Sequence, residues 1–173
     1  MKYFLNGYMG AGKSRIGKLL SEKLKYDYVD LDDQIELIEQ TDIQNIFQTK
    51  GELYFRKTEN KVLRDILEKD GDMVVSLGGG TPCYGDNLQW IKNVPEAKTV
   101  YLKATVSTLT NRLFLEKVHR PVISHLETKE DLEEFLRKHL FERAYYYNQS
   151  DVIINVDDKD PEEITAELLS KLK

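Results

Sequence analysis

Glycines, a lysine and a hydroxyl in fixed order carry the clearest chemistry in this chain. Residues Gly7 to Ser14 read GYMGAGKS and fit the pattern G-x-x-x-x-G-K-S/T. Such a turn suits a triphosphate. The amides of Gly10, Ala11 and Gly12 can close round phosphate oxygens, the helix that comes next offers its positive end, Lys13 neutralises β and γ charge, and the Ser14 hydroxyl can ligate Mg²⁺. A glycine-rich turn that binds nothing is the alternative. The flanks argue against it: Lys2 to Leu5 suit a buried strand, and Ile16, Leu19, Leu20 and Leu24 recur at helical spacing.

Four other groups could do chemistry beside a triphosphate. Asp30 and Asp32 stand where a second strand, Tyr28 to Asp32, should end, and ligand groups gather at such strand ends in parallel α/β sheets. Arg56 and Glu59 lie one turn apart on a helix face, which in isolation would read as a surface ion pair. Gly78, Gly79 and Gly80 come after an apolar strand and permit close backbone approach by a ligand, although a flexible turn would look similar. The pair Arg120 and Pro121 sits in 117–129, an irregular stretch between two helical segments that reads as a mobile lid.

The elements that must position these groups alternate. Strands are expected at Lys2 to Leu5, Tyr28 to Asp32, Met73 to Leu77, Thr99 to Leu102 and Val152 to Ile154. Helices are expected between them: a short one with Ile35, Leu37 and Ile38, and one capped by Asp42 that breaks at Lys50-Gly51. A long one runs from Glu52 to Glu68, a short one holds Leu88, Trp90 and Ile91, and another spans Val106 to Leu115. Asp160 and Pro161 open a terminal amphipathic helix. Strands alternating with helices imply an α/β fold with a five-stranded parallel sheet between helical layers. At 173 residues the chain is expected to form one domain, 1–173.

Composition narrows the partners. A net charge of -5 with dispersed basic residues gives no footprint for a nucleic-acid backbone, and no apolar run approaches a membrane span. One cysteine, Cys83, and a start that goes straight into a strand imply a reducing, cytoplasmic setting without a signal segment. The histidines His119, His125 and His139 lack metal-ligand spacing and read as lid and surface residues; Phe47 and Phe55 read as core aromatics.

Taken together, the motifs resemble the shikimate kinase family, P-loop kinases related in fold to nucleoside monophosphate kinases. The likeness spans almost the whole chain. It rests on the loop with its Met9, on Tyr28, Asp30, Asp32, Ile35 and Glu36, on Phe55, Arg56 and Glu59, on the glycine triplet, on Arg120-Pro121, and on Arg143 with Tyr146 after it. The resemblance implies a three-layer P-loop fold in which helices at about 31–60 bind substrate and 117–129 forms the lid. It implies ATP as co-substrate with Mg²⁺, and shikimate as acceptor phosphorylated on its 3-hydroxyl, in the route to chorismate and the aromatic amino acids. Arg56 and Arg143 would grip the carboxylate, Glu59 would orient Arg56, and Asp32 with Gly78, Gly79 and Gly80 would hold hydroxyls. Lys13, Asp32 and Arg120 would be catalytic. Ser14 and Asp30 would serve the metal, Arg112 would lie against adenine with the Asp157 to Pro161 loop opposite, and Arg120 would reach the transferring phosphate. Most of the family is monomeric, and the same is expected here.

Two rival readings share the loop. A kinase for gluconate or a nucleoside monophosphate would keep the scaffold, but Asp32, Arg56, the glycine triplet and Arg143 suit a carboxylated polyol better. A regulatory module that had lost its acceptor site should lack lid or substrate residues. None is missing, and Val122-Ile123 in place of the family's leucines is a mild departure.

Overall fold

The computed structural model describes residues 1–117 and 122–172. Five strands, β1 (Lys2–Asn6), β2 (Asp27–Asp30), β3 (Met73–Ser76), β4 (Ala97–Lys103) and β5 (Val152–Asn155), form one sheet in the order β2-β3-β1-β4-β5. Every pairing is parallel. Helices α1 (Lys13–Leu24), α2 (Leu31–Glu39), α3 (Ile43–Glu68), α4 (Asn87–Lys92), α5 (Val106–Glu116), α6 (Lys129–Tyr147) and α7 (Pro161–Lys171) fall between or after the strands, with a 3-10 turn at Thr81–Cys83.

Alternation along β1 and β3 distributes the core to both sides of the sheet, as a pleat of period two requires. Tyr3, Leu5 and Val74 join Ile16, Leu20, Leu109, Leu113, Ile164 and Leu168 from α1, α5 and α7. Phe4, Met73 and Val75 join Ile35, Val62, Leu63, Ile66 and Ile91 from α2, α3 and α4. The expected three-layer P-loop architecture is therefore present.

Local chemistry sets the boundaries. Asp42 caps α3 by accepting the Asn45 N–H, and Asp160 caps α7 in a capping box with Glu163 behind Pro161. The expected break at Gly51 is real: its backbone leaves helical geometry at φ 81°, ψ 168° within an otherwise continuous α3. One expectation needs correction. The second strand stops at Asp30, because the Asp30 carboxylate accepts the Asp32 N–H and caps α2, so Asp32 lies in the first helical turn rather than at a strand end. Leu37 and Ile38 belong to α2 as expected but are 71% and 56% exposed, and only Leu31 and Ile35 of that helix are buried.

Of the stretch 117–129, residues 118–121 lie outside the described residues, and with them His119, Arg120 and Pro121. In the described part of it Ile123 is fully buried, Val122 is exposed, and Lys117 Nζ donates to the carbonyls of Leu126 and Glu127.

Candidate active site

The carboxyl ends of three neighbouring strands carry the site. The register pairs Leu5 with Ser76 and Ser76 with Asp30, so the P-loop after β1, the glycine triplet after β3 and the Asp30 cap after β2 all begin at one edge. This is where parallel α/β sheets bind ligands. Ser76 Oγ ties the row together, donating to the Lys13 carbonyl and accepting from the Tyr28 hydroxyl.

Two cavities open there. One, of about 370 Å³, is lined by P-loop residues Gly10, Gly12, Lys13 and Ser14 together with Asp30 and Arg112. Gly10 and Gly12 take φ of 81° and 95°, a region that side-chain-bearing residues rarely adopt, and this turns the loop back on itself ahead of α1. Lys13 Nζ donates to the carbonyls of Gly7 and Tyr8. Ser14 Oγ donates to Asp30 Oδ2 at 2.7 Å, and the Tyr28 hydroxyl reaches the same oxygen at 3.1 Å. Arg112 does not hang free. Its Nη1 donates to Gly10 O at 3.0 Å and Nη2 to Val156 O at 3.4 Å, bracing the P-loop against the segment after β5. Asp157, the next residue, accepts from the N–H and hydroxyl of Thr105 at the start of α5.

The second cavity, of about 490 Å³, is lined by Asp32, Phe47, Phe55, Arg56, the glycine triplet and Arg143. Arg56 is a fixed group here. Nη1 meets Glu59 Oε2 at 3.0 Å, its guanidinium lies 4.0 Å from the Tyr84 ring centroid, and Glu59 is wholly buried with its other oxygen held by the Thr81 hydroxyl at 2.7 Å. A buried, doubly bonded carboxylate is a different object from a surface pair, and it holds the guanidinium at one place. Phe47 corrects its assignment to the core: it is 37% exposed and lines the cavity in contact with Phe55, which alone is buried.

The glycine triplet explains itself by what it leaves room for. A Cβ on Gly78 would stand 2.9 Å from Asp32 Oδ1, one on Gly79 3.3 Å from Arg143 Nη1, and one on Gly80 2.7 Å from Arg56 Nη2. Each glycine admits one polar side chain to the cavity.

The two cavities share Met9, Asp32 and Gly79. Asp32 is therefore the carboxylate at their junction. Burial, with help from the charges of Asp30, Glu59 and Glu36 and against the pull of Lys13, pushes its carboxyl up to about 6. Among the described residues no cluster of three or more His, Cys, Asp or Glu side chains could hold a metal by itself. The Ser14 and Asp30 pair nevertheless fits Mg²⁺ of the kind that takes one or two protein oxygens and completes its shell with phosphate and water.

Sequence reading missed several supports. The resemblance pairs Arg143 with Tyr146, but the tyrosine that shares its face one helical turn on is Tyr147, fully buried, packed on Tyr101 and donating to Gly79 O at 2.6 Å. A period of four rather than three would have found it. His139 is not a plain surface residue: it is half-buried, 2.7 Å from the Tyr8 hydroxyl. Thr81 and Tyr84 carry no signal that sequence alone could separate from turn residues. Cys83 packs against the core, and burial pushes its thiol up to about 11, in keeping with an inert role.

A P-loop at the end of the central strand, a neighbouring acid and a second polar cavity define a P-loop kinase for a small molecule. A model of the shikimate kinase family matches residues 9–173. The shikimate kinase of Flavobacterium psychrophilum is 40% identical, with 96% of each chain covered. The crystal structure of shikimate kinase from Bacteroides thetaiotaomicron superposes with a TM-score of 0.90 at 33% identity, covering 99% of this chain and 98% of that one. That of Acinetobacter baumannii shikimate kinase, in complex with shikimate, gives 0.88 at 28% identity, over 99% and 92%. The chain belongs to the shikimate kinase family.

Proposed function

We infer that this protein transfers the γ-phosphoryl group of ATP to the 3-hydroxyl of shikimate, giving shikimate 3-phosphate and ADP on the way to chorismate. The observation that carries the reading is the junction: a phosphate-binding loop and a cavity with two arginines open onto one another at a single carboxylate, Asp32. Phosphoryl transfer asks mainly for an in-line arrangement of two oxygens and for donors that spread charge; the adjoining cavities leave room for the first and the lysine and arginines offer the second.

The placement of the side chains round the two cavities supports the following roles. The amides of Gly10, Ala11 and Gly12 with Lys13 receive the phosphates, and Arg112 with the segment from Val156 borders the adenine. Arg56 and Arg143 take the carboxylate of shikimate, a planar anion that guanidinium groups recognise better than ammonium does. Asp32, backed by Gly78, Gly79 and Gly80, accepts the hydrogen of the attacking hydroxyl. With a carboxyl near 6 it is ionised at neutral pH yet basic enough to take a proton as the oxygen attacks. Mg²⁺ held by Ser14 and Asp30 would neutralise phosphate charge. Arg120, carried over by resemblance, would stabilise the transferring group in the manner of an arginine finger. The same reading makes residues 1–173 a single kinase domain with its lid at 117–129, acting as a monomer in the cytoplasm. No helix among the described residues is long and apolar enough to cross a membrane.

The test is ADP release with Mg²⁺ and ATP in the presence of shikimate, gluconate, nucleoside monophosphates or no acceptor. Release that depends on shikimate alone is expected. Equal release with gluconate or a nucleotide would overturn the acceptor assignment.

A further inference from the structure

One stripe of α6 touches both loops of the site. His139, Arg143 and Tyr147 are spaced by four, so they share a face. Tyr147 donates to Gly79 O in the glycine triplet. Arg143 lies with its guanidinium 5.6 Å from the Tyr8 ring centroid and lines the acceptor cavity. His139 meets Tyr8 edge to face, with Nδ1 hydrogen-bonded to the hydroxyl at 2.7 Å. Tyr8 itself is 1% exposed, and its backbone carbonyl accepts from both Lys13 Nζ and the Ala11 N–H. One residue of the phosphate loop thus seats the lysine with its backbone and grips α6 with its side chain. The grip extends outward, since His139 packs on Phe135 and Phe135 on His125.

We propose that Tyr8 and His139 form a positioning pair that fixes α6 against the phosphate loop and so aims Arg143 into the acceptor cavity. The pair depends on the reading of Arg143 as a ligand of the shikimate carboxylate. Neither Tyr8 nor His139 lines the acceptor cavity, so they act through Arg143. The physical basis is that an arginine has several rotatable bonds and loses affinity when the helix that carries it is free to shift; a hydrogen bond one turn away, beside the face on which the guanidinium rests, removes that freedom.

The experiment is steady-state kinetics on Tyr8→Phe, His139→Leu, His139→Asn, Arg143→Ala and the doubles Tyr8→Phe/His139→Leu and Tyr8→Phe/Arg143→Ala, with thermal unfolding of each. Tyr8→Phe and His139→Leu should each raise KM for shikimate about threefold to tenfold, the range one lost hydrogen bond spans, with kcat and KM for ATP within about twofold. His139→Asn, whose amide reaches the place of Nδ1, should recover near wild-type KM. The Tyr8→Phe/His139→Leu double should be no worse than either single, and Tyr8→Phe should add nothing once Arg143 is alanine. A fall in unfolding temperature with shikimate KM unchanged would show a purely structural contact and overturn the proposal, as would an effect on ATP alone or one that persists in full without Arg143. If Arg143→Ala raises shikimate KM while Tyr8→Phe and His139→Leu do not, only the positioning pair fails. If Arg143→Ala is itself silent, the site reading fails and takes the pair with it.

Discussion

The two cavities that meet at Asp32 are built by opposite means. The phosphate side is built round one contiguous stretch of chain, shaped by backbone amides and by glycines at positive φ, with Lys13 and Ser14 a step further along and Asp30 and Arg112 added from elsewhere. The acceptor side is assembled from side chains of α2, α3 and α6 and the turn after β3, whose polar groups come from widely separated positions. A backbone cradle suits a ligand part common to every nucleotide triphosphate. A side-chain cradle can be shaped to one acid. The difference teaches where specificity in such a kinase resides, and it predicts which changes should be felt on one side and not the other.

The largest separation is expected from Arg120. Arg120→Ala should lower kcat about 10³-fold or more, the scale of losing an arginine finger, while the dissociation constant for shikimate by calorimetry stays within a few-fold of wild type. Near-normal turnover would remove Arg120 from the mechanism. A parallel loss of shikimate binding would mean that the two sides are not separable.

Asp32 belongs to both cavities, so its loss should be felt in both. Asp32→Asn should reduce kcat about 10²- to 10³-fold and also weaken shikimate binding. The same substitution should stabilise the fold at neutral pH. The Asp32 carboxyl is raised from its ordinary 3.8 to about 6, so between those values the native state holds more protons than the unfolded chain, and stability falls as pH rises through that window. Asparagine removes the penalty. The variant should therefore be more stable by up to about 3 kcal/mol well above pH 6, a gap that closes as pH falls to about 4. In the wild-type enzyme the matching kinetic signature is an acid limb in kcat/KM for shikimate near pH 6. A variant with wild-type kinetics, or one destabilised at pH 7, would contradict the placement of a buried carboxylate at the junction.

How much of this was open to sequence reading divides along the same line. The phosphate loop is local, so its residues and their roles stand next to one another along the chain. The strands are legible for the same reason, since apolar runs bounded by turn residues need no partner to be recognised. Asp30 shows where local reading fails: a carboxylate beyond an apolar run looks like a strand-end ligand, yet it also caps α2, and that second duty places Asp32 on a helix. The acceptor side depends on what folding brings together. Nothing near Glu59 announces that Thr81 will hold its second oxygen, and three adjacent tyrosines after Arg143 differ only in the helix face they occupy. Of these, Tyr147 alone is fully buried.

The finest comparison lies within the glycine triplet, where one added methyl can be aimed at each of the acceptor side's polar groups in turn. At Gly80 the clash is 2.7 Å from the far end of the Arg56 side chain, so the fold can yield at little cost but the guanidinium must move. Arg56 is also held by Glu59 and stacked on Tyr84, which leaves it few other places to go. Gly80→Ala should therefore raise KM for shikimate about tenfold, the worth of one displaced charge-assisted hydrogen bond, with KM for ATP unchanged. At Gly79 the distance to Arg143 Nη1 is 3.3 Å, and a shift of a few tenths of an ångström relieves it. Gly79→Ala should thus cost about twofold to threefold in the same constant, less than a full hydrogen bond is worth. Steady-state kinetics on the pair decides the matter. If Gly79→Ala proves as damaging as Gly80→Ala, or if either raises KM for ATP in step with shikimate, the triplet is a backbone hinge shared by both cavities rather than room left for particular side chains.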